Sequence, residues 1–512
     1  MTYNYSTVWV AKNDLCTHVN QFVDKEQSAL EHLLVEQYRT AGLSSYYYQH
    51  TQQVGSQSRP SADLYFENTA CTDLLLRAGE VSSGGFNIDY GVGIRVLKGE
   101  KTGYAYAEST DRASMLSAAR AASLIADRNA SAGCVGARVD EASVPKYKGR
   151  PNPAADRYPM QEDWRTCETS RLVPFLDRLH KDICARDARV IKVIAMLSSQ
   201  VTDLLMYNSF GELKYETRPL GSVSVSVVFQ QEGKVETQSV SRSFRTGVEM
   251  LSDRLAEELV TKVVQGIDER FAARRPKGGK MPVVMGAGAS GILLHEAMGH
   301  AFEADFNRKG QSVFSDKMGR KICPDGITVV DDATIRGNRG SLNFDDEGVP
   351  GQRTVLVEDG VLTSYMHDRI SAKFYDVKPT GNGRRESFRY NPIPRMRATY
   401  MEGGQASPED IIASVKKGIY VDQFSNGQVK IGEGDFTFFV QSGFLIENGR
   451  LTTPVKDINV IGNGPEALAD IEAVGNDPTV DDGTWTCGKE QSVPVSCGIP
   501  TVLIKKLTVG GE

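Results

Sequence analysis

Apolar residues recur at helical spacing in four long stretches of the first 275 residues. Residues 24–40, 111–129, 162–185 and 249–271 repeat leucine, isoleucine, valine or alanine three or four positions apart. This spacing is typical of an amphipathic helix with one buried face. Asp111 stands at the start of the second stretch, and its side chain predicts an N-cap there. Each stretch is therefore predicted as a helix, and Pro174 is expected either in a first turn of the third helix or at its true start.

Strands are predicted where apolar and polar residues alternate between these helices. The strictest alternation is Ser222–Val227, within a predicted meander over residues 190–244. A meander of this kind predicts an antiparallel sheet with one face exposed to solvent. The separate strands predicted in this half cover residues 64–68, 73–78, 91–97, 102–108, 190–197, 203–208, 212–217, 221–230 and 234–244.

The pattern changes at residues 273–281, which contain a proline, two glycines and four basic residues. After residue 306 the pattern of apolar and polar residues is mostly typical of β-structure. Asp359-Gly360 and Asn448-Gly449 each separate two apolar runs, and both dipeptides favour the type I′ turn of a hairpin. A single helix is predicted in this half after residue 306, at residues 408–418. A closed or strongly curved antiparallel sheet is therefore expected.

Length and composition agree with a globular protein of more than one domain. A chain of 512 residues exceeds a single compact core. The predicted fold class is α+β, with an α/β N-terminal domain at residues 1–275 and a β-rich, barrel-like domain at residues 276–512. Hydrophobic residues make up 40% of the chain and charged residues 24%, which is ordinary for globular proteins.

Charge and hydropathy exclude several classes of partner. The net charge of −6 argues against a nucleic-acid-binding surface, which requires a basic stripe. No export signal and no run of about 18 apolar residues is visible, so we expect a cytoplasmic protein that does not bind membranes. The eight cysteines contain no C-x-x-C pair, and most are expected to be reduced thiols.

Candidate chemistry concentrates in Gly291–His300, where His295, Glu296 and His300 fall within six residues. Imidazoles are common ligands of transition metals, and a carboxylate beside a metal-bound water is the usual general base of a metallopeptidase. The alternative interpretation is a helix that carries two solvated or capped histidines. The segment is therefore a candidate metal site.

The spacing of the two histidines differs from the common H-E-x-x-H pattern. On a regular helix, positions i and i+5 point about 140° apart. Both imidazoles can reach one ion if the helix is widened, as in a π-bulge, or ends between them. Gly299 would permit this, since glycine tolerates unusual backbone angles. Glu296 and His300, at i and i+4, are the alternative ligand pair, and the spacing leaves both assignments open.

Other polar residues are weaker candidates. Arg384 and Arg385 could bind a substrate carboxylate, or could pair with nearby acidic residues. Tyr400 could donate a hydrogen bond to an oxyanion, or could complete a hydrogen bond in the core. The acidic run at residues 345–347 lacks the spaced ligands of a calcium site, so a solvated or turn-forming cluster is expected.

These motifs together resemble the TldD/PmbA family, and in particular its TldD subunit. The resemblance extends from about residue 280 to the end, and the N-terminal half matches more loosely around Gly91–Ala107. Insertions near residues 50–60 and 130–165 are atypical of the family. The matching segments are His295–His300, Glu303–Gly310, Asp345–Gly348, Thr380–Ser387, Pro394–Met396, Thr399–Met401, Val474–Asp477, Thr486–Lys489 and Leu507–Gly511.

The resemblance implies a zinc metallopeptidase with an H-E-x-x-x-H motif. It implies His295, His300 and Cys487 as ligands of one zinc ion per chain, with Glu296 as general base. The implied substrates are short or unfolded polypeptides, cleaved in peptide maturation or degradation. The implied assembly is a homodimer or a heterodimer with a PmbA/TldE-like subunit. A non-catalytic scaffold subunit of such a complex is the alternative function, and the intact motif favours the enzyme.

Overall fold

The structure is a computed structural model that describes residues 61–127, 152–153, 156–208 and 212–511. The fold is α+β and rich in strands, as predicted. The helix predicted at residues 24–40 lies outside the described residues. Within those residues, no helix combines the length and the apolar character needed to cross a membrane.

One seven-stranded sheet forms the N-terminal part. Its strands are β1 (Ser61–Arg77), β2 (Glu80–Lys98), β3 (Lys101–Ala107), β4 (Asn152–Pro153), β5 (Val190–Asn208), β6 (Leu213–Gln231) and β7 (Lys234–Phe244). The strand order is β3-β2-β1-β5-β6-β4, and β7 also pairs with β6. All neighbours are antiparallel except β4 and β6. The antiparallel meander is therefore confirmed.

In several places, two strands that were predicted separately form one long strand in the structure. Residues 64–68 and 73–77 both belong to β1, which pairs with β2 and with β5 along most of its length. The residues between them, Thr69–Thr72, are polar or small and give no strong alternation. Backbone hydrogen bonds to two neighbours hold this stretch extended, because a ladder does not require apolar side chains.

Helices cover the sheet through apolar side chains. They are α1 (Arg112–Asp127), α2 (Thr169–Arg186), α3 (Asp253–Val264) and α4 (Ile267–Ala272), and short 3₁₀ turns lie at Trp164–Thr166 and Val248–Met250. Leu176 of α2 and Leu259 of α3 share one buried cluster with Val193 and Val225 of the sheet. The Asp111 carboxylate accepts from the second and third backbone N–H groups after it, at 2.9 and 3.0 Å. The predicted cap is confirmed.

The prediction of one long helix at residues 249–271 was wrong. A 3₁₀ turn, α3 and α4 occupy this stretch instead. Gly266, between α3 and α4, has φ of +77°, in the left-handed region that glycine adopts readily. The apolar periodicity continues across this break because both helices bury residues in the same cluster. Periodicity therefore could not reveal the break.

The C-terminal half contains a closed five-stranded barrel. Its elements are β8 (Gly279–Met285), α5 (Ile292–Leu294), α6 (Ala304–Arg308), β9 (Val329–Asp332), β10 (Arg353–Glu358), β11 (Val361–Leu362), α7 (Arg369–Phe374), β12 (Gly383–Arg384), β13 (Ile393–Pro394), β14 (Ala398–Met401), α8 (Pro408–Ser414), β15 (Lys417–Val429), β16 (Asp435–Glu447), β17 (Arg450–Val455), β18 (Ile458–Asn463), α9 (Gly464–Ala469), β19 (Ile471–Val474), β20 (Thr479–Val480), β21 (Thr486–Lys489), β22 (Gln491–Pro494), β23 (Ser496–Ile499) and β24 (Val502–Gly510). The barrel order is β15-β8-β24-β18-β16, closed by pairing of β15 with β16. The barrel-like prediction is confirmed.

Local turn chemistry in this half was predicted correctly, but the helix content was not. Asp359-Gly360 and Asn448-Gly449 join β10 to β11 and β16 to β17, and all four residues have positive φ. These are the backbone angles of type I′ turns. The expectation of a single helix after residue 306 was wrong, since α7 and α9 also lie in this part of the described residues. With six residues each, they are too short for periodicity to show.

The acidic run Asp345-Asp346-Glu347 lies buried where the first sheet meets the C-terminal half. Arg95 of β2 pairs with Glu347 at 2.5 Å, and Arg218 of β6 pairs with Asp346 at 2.5 Å. The expectation of a solvated cluster was wrong, because two of these carboxylates neutralise arginines that are buried with them. The alternative, a turn-forming cluster, is present, since the Gly348 N–H donates to the Asp345 carbonyl oxygen at 3.0 Å. The division of the chain into domains 1–275 and 276–512 stays a prediction.

Glu67 of β1 makes the contact between the first sheet and the C-terminal half dependent on pH. Its carboxylate accepts from the Phe388 N–H at 2.7 Å and from the Thr69 hydroxyl at 2.8 Å. Burial outweighs these hydrogen bonds and raises the pKa of Glu67 to about 7. The folded state therefore holds a proton on Glu67 that the unfolded state releases at lower pH. The contribution of Glu67 to the free energy of unfolding is therefore fully present at low pH and is lost as the pH rises from about 4 to about 7.

Glu67→Gln is expected to remove this loss, because glutamine resembles the protonated carboxyl group. Relative to the parent, the variant should gain about 1 to 3 kcal/mol in free energy of unfolding between pH 5 and pH 8. Urea unfolding of both proteins at the two pH values measures the difference. Equal pH dependence in parent and variant would show that the pKa of Glu67 is not raised.

Candidate metal centre

The helical segment after β8 is irregular where its two histidines lie. A 3₁₀ turn at Ala289–Gly291 leads into α5, then into a π-turn at His295–Gly299 and a 3₁₀ turn at His300–Phe302. The backbone N–H of His300 donates to the carbonyl oxygen of His295, five residues earlier. A helix widened in this way brings positions i and i+5 onto one side. The predicted irregularity near Gly299 is confirmed.

Three predicted side chains converge at this turn. The rings of His295 and His300 have centroids 5.2 Å apart and lie at 80° to one another. Cys487 of β21 places its Sγ 3.4 Å from Nε2 of His300. One donor atom from each of the three residues lies within 4.8 Å of the other two, and all three side chains are buried. Residues distant in the sequence therefore form one pocket of donor atoms.

Gly299 is required for a different reason from the one that the sequence indicated. Its φ and ψ are −53° and −54°, which any residue adopts in a helix. A Cβ at this position would overlap the Sδ of Met396, which is fully buried. The earlier explanation, unusual backbone angles, was therefore wrong. Gly299 allows the π-turn to pack closely against Met396, which lies two residues before β14.

Gly299→Ala is expected to lower the free energy of unfolding by about 1 to 3 kcal/mol, because the extra methyl group overpacks the core against Met396. Urea unfolding measures the change. Gly85→Ala is the matched control, since a Cβ at Gly85 meets nothing within 4 Å and its φ is not positive. Equal effects of the two substitutions would contradict the steric explanation.

Glu296 differs in exposure from the residues around it. It is partly exposed, whereas the other described side chains from residue 290 to residue 305 are buried. Glu296 is not among the three side chains that converge, which favours the histidine pair over the alternative ligand pair Glu296 and His300. A carboxylate that reaches solvent beside buried donor atoms can exchange protons with a bound molecule.

Buried charges surround the convergent side chains. The Glu303 carboxylate lies 3.0 Å from His300 Nδ1 and 3.1 Å from the Lys489 ammonium. Burial opposes ionisation of Glu303, but the Lys489 and His300 charges outweigh it and lower the pKa to about 2. Burial likewise opposes ionisation of Cys487, but His295 and His300 hold the pKa of this thiol well below its ordinary value. Both neighbourhoods therefore favour the ionised form of a buried group.

This donor set fits a zinc ion. Imidazole nitrogen and thiolate sulfur are both ordinary zinc ligands, and catalytic zinc sites combine three protein ligands with a fourth position for water or substrate. Nδ1 of His295 is buried and has no hydrogen-bond partner. A buried ring nitrogen without a partner and a buried thiolate both carry a free-energy penalty that coordination of a cation would remove.

The two predicted substrate-binding arginines are buried and are held by the protein itself. The Arg384 guanidinium donates to the carbonyl oxygens of Met396 and Pro494, at 2.5 and 2.8 Å. The Arg385 guanidinium lies over the Tyr65 ring, 4.1 Å from its centre. Because these groups already have partners, their contacts favour a structural role. Substrate binding by either arginine stays a prediction that the geometry does not support.

Tyr400 is half-buried on β14, and its hydroxyl donates to the Asp332 carboxylate at 3.4 Å. Burial is the main cause that raises the pKa of Tyr400. Tyr400 is not one of the three side chains that converge on the donor pocket. Its proposed hydrogen bond to an oxyanion stays a prediction.

Three residues around the donor pocket were missed by the sequence analysis. Glu303 contacts His300, Lys489 contacts Glu303, and the Arg395 guanidinium donates to the carbonyl oxygen of Cys487 at 2.6 Å. A signal for Glu303 was available, since it lies three residues after His300. The contribution of Arg395 depends on packing between segments 92 residues apart, which no local pattern indicates.

Three profiles of one family match the chain. They are described as PmbA/TldA metallopeptidase domain 1, at residues 62–126, the central domain, at residues 162–269, and the C-terminal domain, at residues 278–511. One interval between the matches is residues 270–277, and the predicted domain boundary between residues 275 and 276 lies in it.

Curated relatives share much of the sequence. The Metalloprotease TldD homolog of Haemophilus influenzae is 41% identical over 459 residues, which are 88% of this chain and 92% of that protein. The Zinc metalloprotease TldD homolog of Saccharolobus solfataricus is 33% identical over 293 residues, which are 57% of this chain and 65% of that protein.

Solved structures share the fold. One is a Thermotoga maritima protein described as a candidate modulator of a DNA gyrase, with a TM-score of 0.69 at 21% identity over 88% of this chain and 96% of that chain. Another is TldE from Thermococcus kodakarensis, with a TM-score of 0.66 at 21% identity over 88% of this chain and 97% of that chain. At this level of identity the likeness concerns the fold alone.

Proposed function

The chain belongs to the PmbA/TldD family of metallopeptidases, and from this premise we propose that it is a zinc-dependent peptidase. Its proposed substrates are short or unfolded polypeptides, in peptide maturation or degradation. The observation that carries the proposal is the convergence of His295, His300 and Cys487 beside the partly exposed Glu296. The relatives named as metalloproteases support the same class of activity.

His295, His300 and Cys487 are the proposed ligands of one zinc ion per chain. When bound at such a site, zinc lowers the pKa of a coordinated water and polarises a carbonyl group. The low pKa of Cys487 supports its role, because a thiol must lose its proton to bind a metal. Burial of all three side chains keeps competing water away from the donor atoms.

Glu296 is the proposed general base and general acid. Its carboxylate takes a proton from the attacking water as the new C–O bond forms. It then returns that proton to the amine as the C–N bond breaks, so no net charge is left on the residue. The partial exposure of Glu296 supports this role, since the carboxylate must reach a water and a peptide.

We propose that the chain acts in the cytoplasm as a homodimer or as a heterodimer with a PmbA/TldE-like subunit. Membership of the family supports the second arrangement, since the matching profiles are named for PmbA as well as for TldA. The intact donor set favours a catalytic subunit over a scaffold. The net charge of −6 does not favour a DNA-binding role, although one structural relative is described in connection with DNA gyrase.

Mass-spectrometric profiling of a peptide library tests the proposed activity. Zinc-loaded protein should cleave unstructured peptides, a chelator should stop the cleavage, and added zinc should restore it. The same library incubated with the protein and with any co-encoded PmbA-like partner tests the need for a heterodimer. Absence of cleavage by zinc-loaded protein, alone and with the partner, would contradict the proposal.

A further inference from the structure

We propose that Glu303 is a positioning residue that ties together the two halves of the metal site. This inference rests on the proposed zinc site. His295 and His300 come from the π-turn after β8, and Cys487 comes from β21, 187 residues after His300. Glu303 contacts both halves, and its side chain is fully buried. It therefore sets the distance between the ligands before a metal binds.

On the π-turn side, Glu303 orients the His300 ring. Its Oε2 lies 3.0 Å from His300 Nδ1, and Cys487 Sγ lies near Nε2 on the opposite side of the ring. A carboxylate at Nδ1 keeps the proton there, which leaves Nε2 free to bind a metal. The same hydrogen bond fixes the rotation of the imidazole.

On the β21 side, two buried cations reach Glu303. Lys489 follows Cys487 by two residues and so projects from the same face of β21; its ammonium lies 3.1 Å from Glu303 Oε2. The Arg395 guanidinium donates to the Cys487 carbonyl oxygen at 2.6 Å, and its Nε lies 3.8 Å from Glu303 Oε1. Both cations therefore hold the Cys487 strand against the carboxylate that orients His300.

Lys489 has two carboxylate partners, and comparing variants of the two distinguishes positioning of His300 from a general effect on stability. Its ammonium pairs with Asp305 at 2.8 Å as well as with Glu303. Asp305 shares the cation, but no hydrogen bond or ion pair joins it to His300. Loss of the Asp305 charge should therefore weaken the attachment of Lys489 without releasing the His300 ring. Asp305→Asn is the matched control for Glu303→Gln.

The test is the zinc affinity of the full chain, measured by competition with a chelator, together with the absorption spectrum of the cobalt-substituted protein. Glu303→Gln should weaken zinc binding by about 10- to 100-fold, the range found for partners of ligating histidines, and should alter the cobalt spectrum. Lys489→Met should weaken zinc binding in the same direction but less. Asp305→Asn should stay within about threefold of the parent.

Two results overturn the inference. Zinc affinities of Glu303→Gln and Lys489→Met that both equal the parent's would show that the ligands need no such positioning. Equal losses in Glu303→Gln and Asp305→Asn would show a general effect of removing a buried charge. Failure of the parent to bind zinc would instead contradict the proposed function, so the two failures are distinguishable.

Discussion

Glu296→Gln should abolish peptide hydrolysis and leave the zinc content unchanged at one ion per chain. Glutamine has nearly the shape of glutamate but cannot accept the proton of the attacking water. A general base contributes about 10²- to 10⁴-fold to a rate, and kcat/KM should fall by at least this factor. Folding should be unaffected, because Glu296 is partly exposed and lies outside the convergent donor set.

The measurement is kcat/KM on a peptide from the library profile, with zinc content determined on the same sample. Glu433→Gln is the control, since Glu433 is exposed near the turn between β15 and β16 and pairs with the exposed Lys430. It should retain the activity of the parent. If Glu296→Gln keeps more than about a tenth of the parent's kcat/KM, the assigned base is wrong.

Cys487→Ser should lose the zinc ion and, with it, all hydrolysis. A serine hydroxyl stays protonated near neutral pH and is a poor ligand for zinc, whereas the thiolate of Cys487 is already favoured by its two histidine neighbours. Zinc per chain, measured by elemental analysis after dialysis against a weak chelator, should fall from about one to below about 0.1.

Cys497→Ser is the matched control for this loss. Cys497 lies ten residues from Cys487 and is equally buried, but it is not among the convergent donors. Burial and nearby acidic groups raise the pKa of the Cys497 thiol well above its ordinary value, so it stays protonated. The control should keep its zinc. Retention of zinc by Cys487→Ser, or loss from Cys497→Ser, would contradict the ligand assignment.

Much of the fold could be predicted because the relevant signals are local. The cap at Asp111 and the two type I′ hairpins each depend on a few adjacent residues. The irregular helix could also be predicted, because histidines at i and i+5 cannot face one ion on a regular helix. The structure places a π-turn at this position.

The rest depends on packing between distant segments, which alternation and periodicity do not report. The need for glycine at position 299 comes from Met396, about a hundred residues later. The burial of Arg384 follows from carbonyl groups of β22 and its neighbours. Glu303 is held by Lys489 of β21 and by Arg395, which lies between β13 and β14. These tertiary contacts join residues that are far apart in the sequence, so no local pattern indicates them.

X-ray absorption spectroscopy of the zinc-loaded protein tests whether His295, His300 and Cys487 bind the ion together. We expect one sulfur ligand at about 2.3 Å and two imidazole nitrogens at about 2.0 to 2.1 Å, with the remaining position taken by a light atom. The sulfur signal should be unchanged in Cys497→Ser. A zinc ion coordinated without sulfur, or by a single imidazole, would contradict a site built from His295, His300 and Cys487.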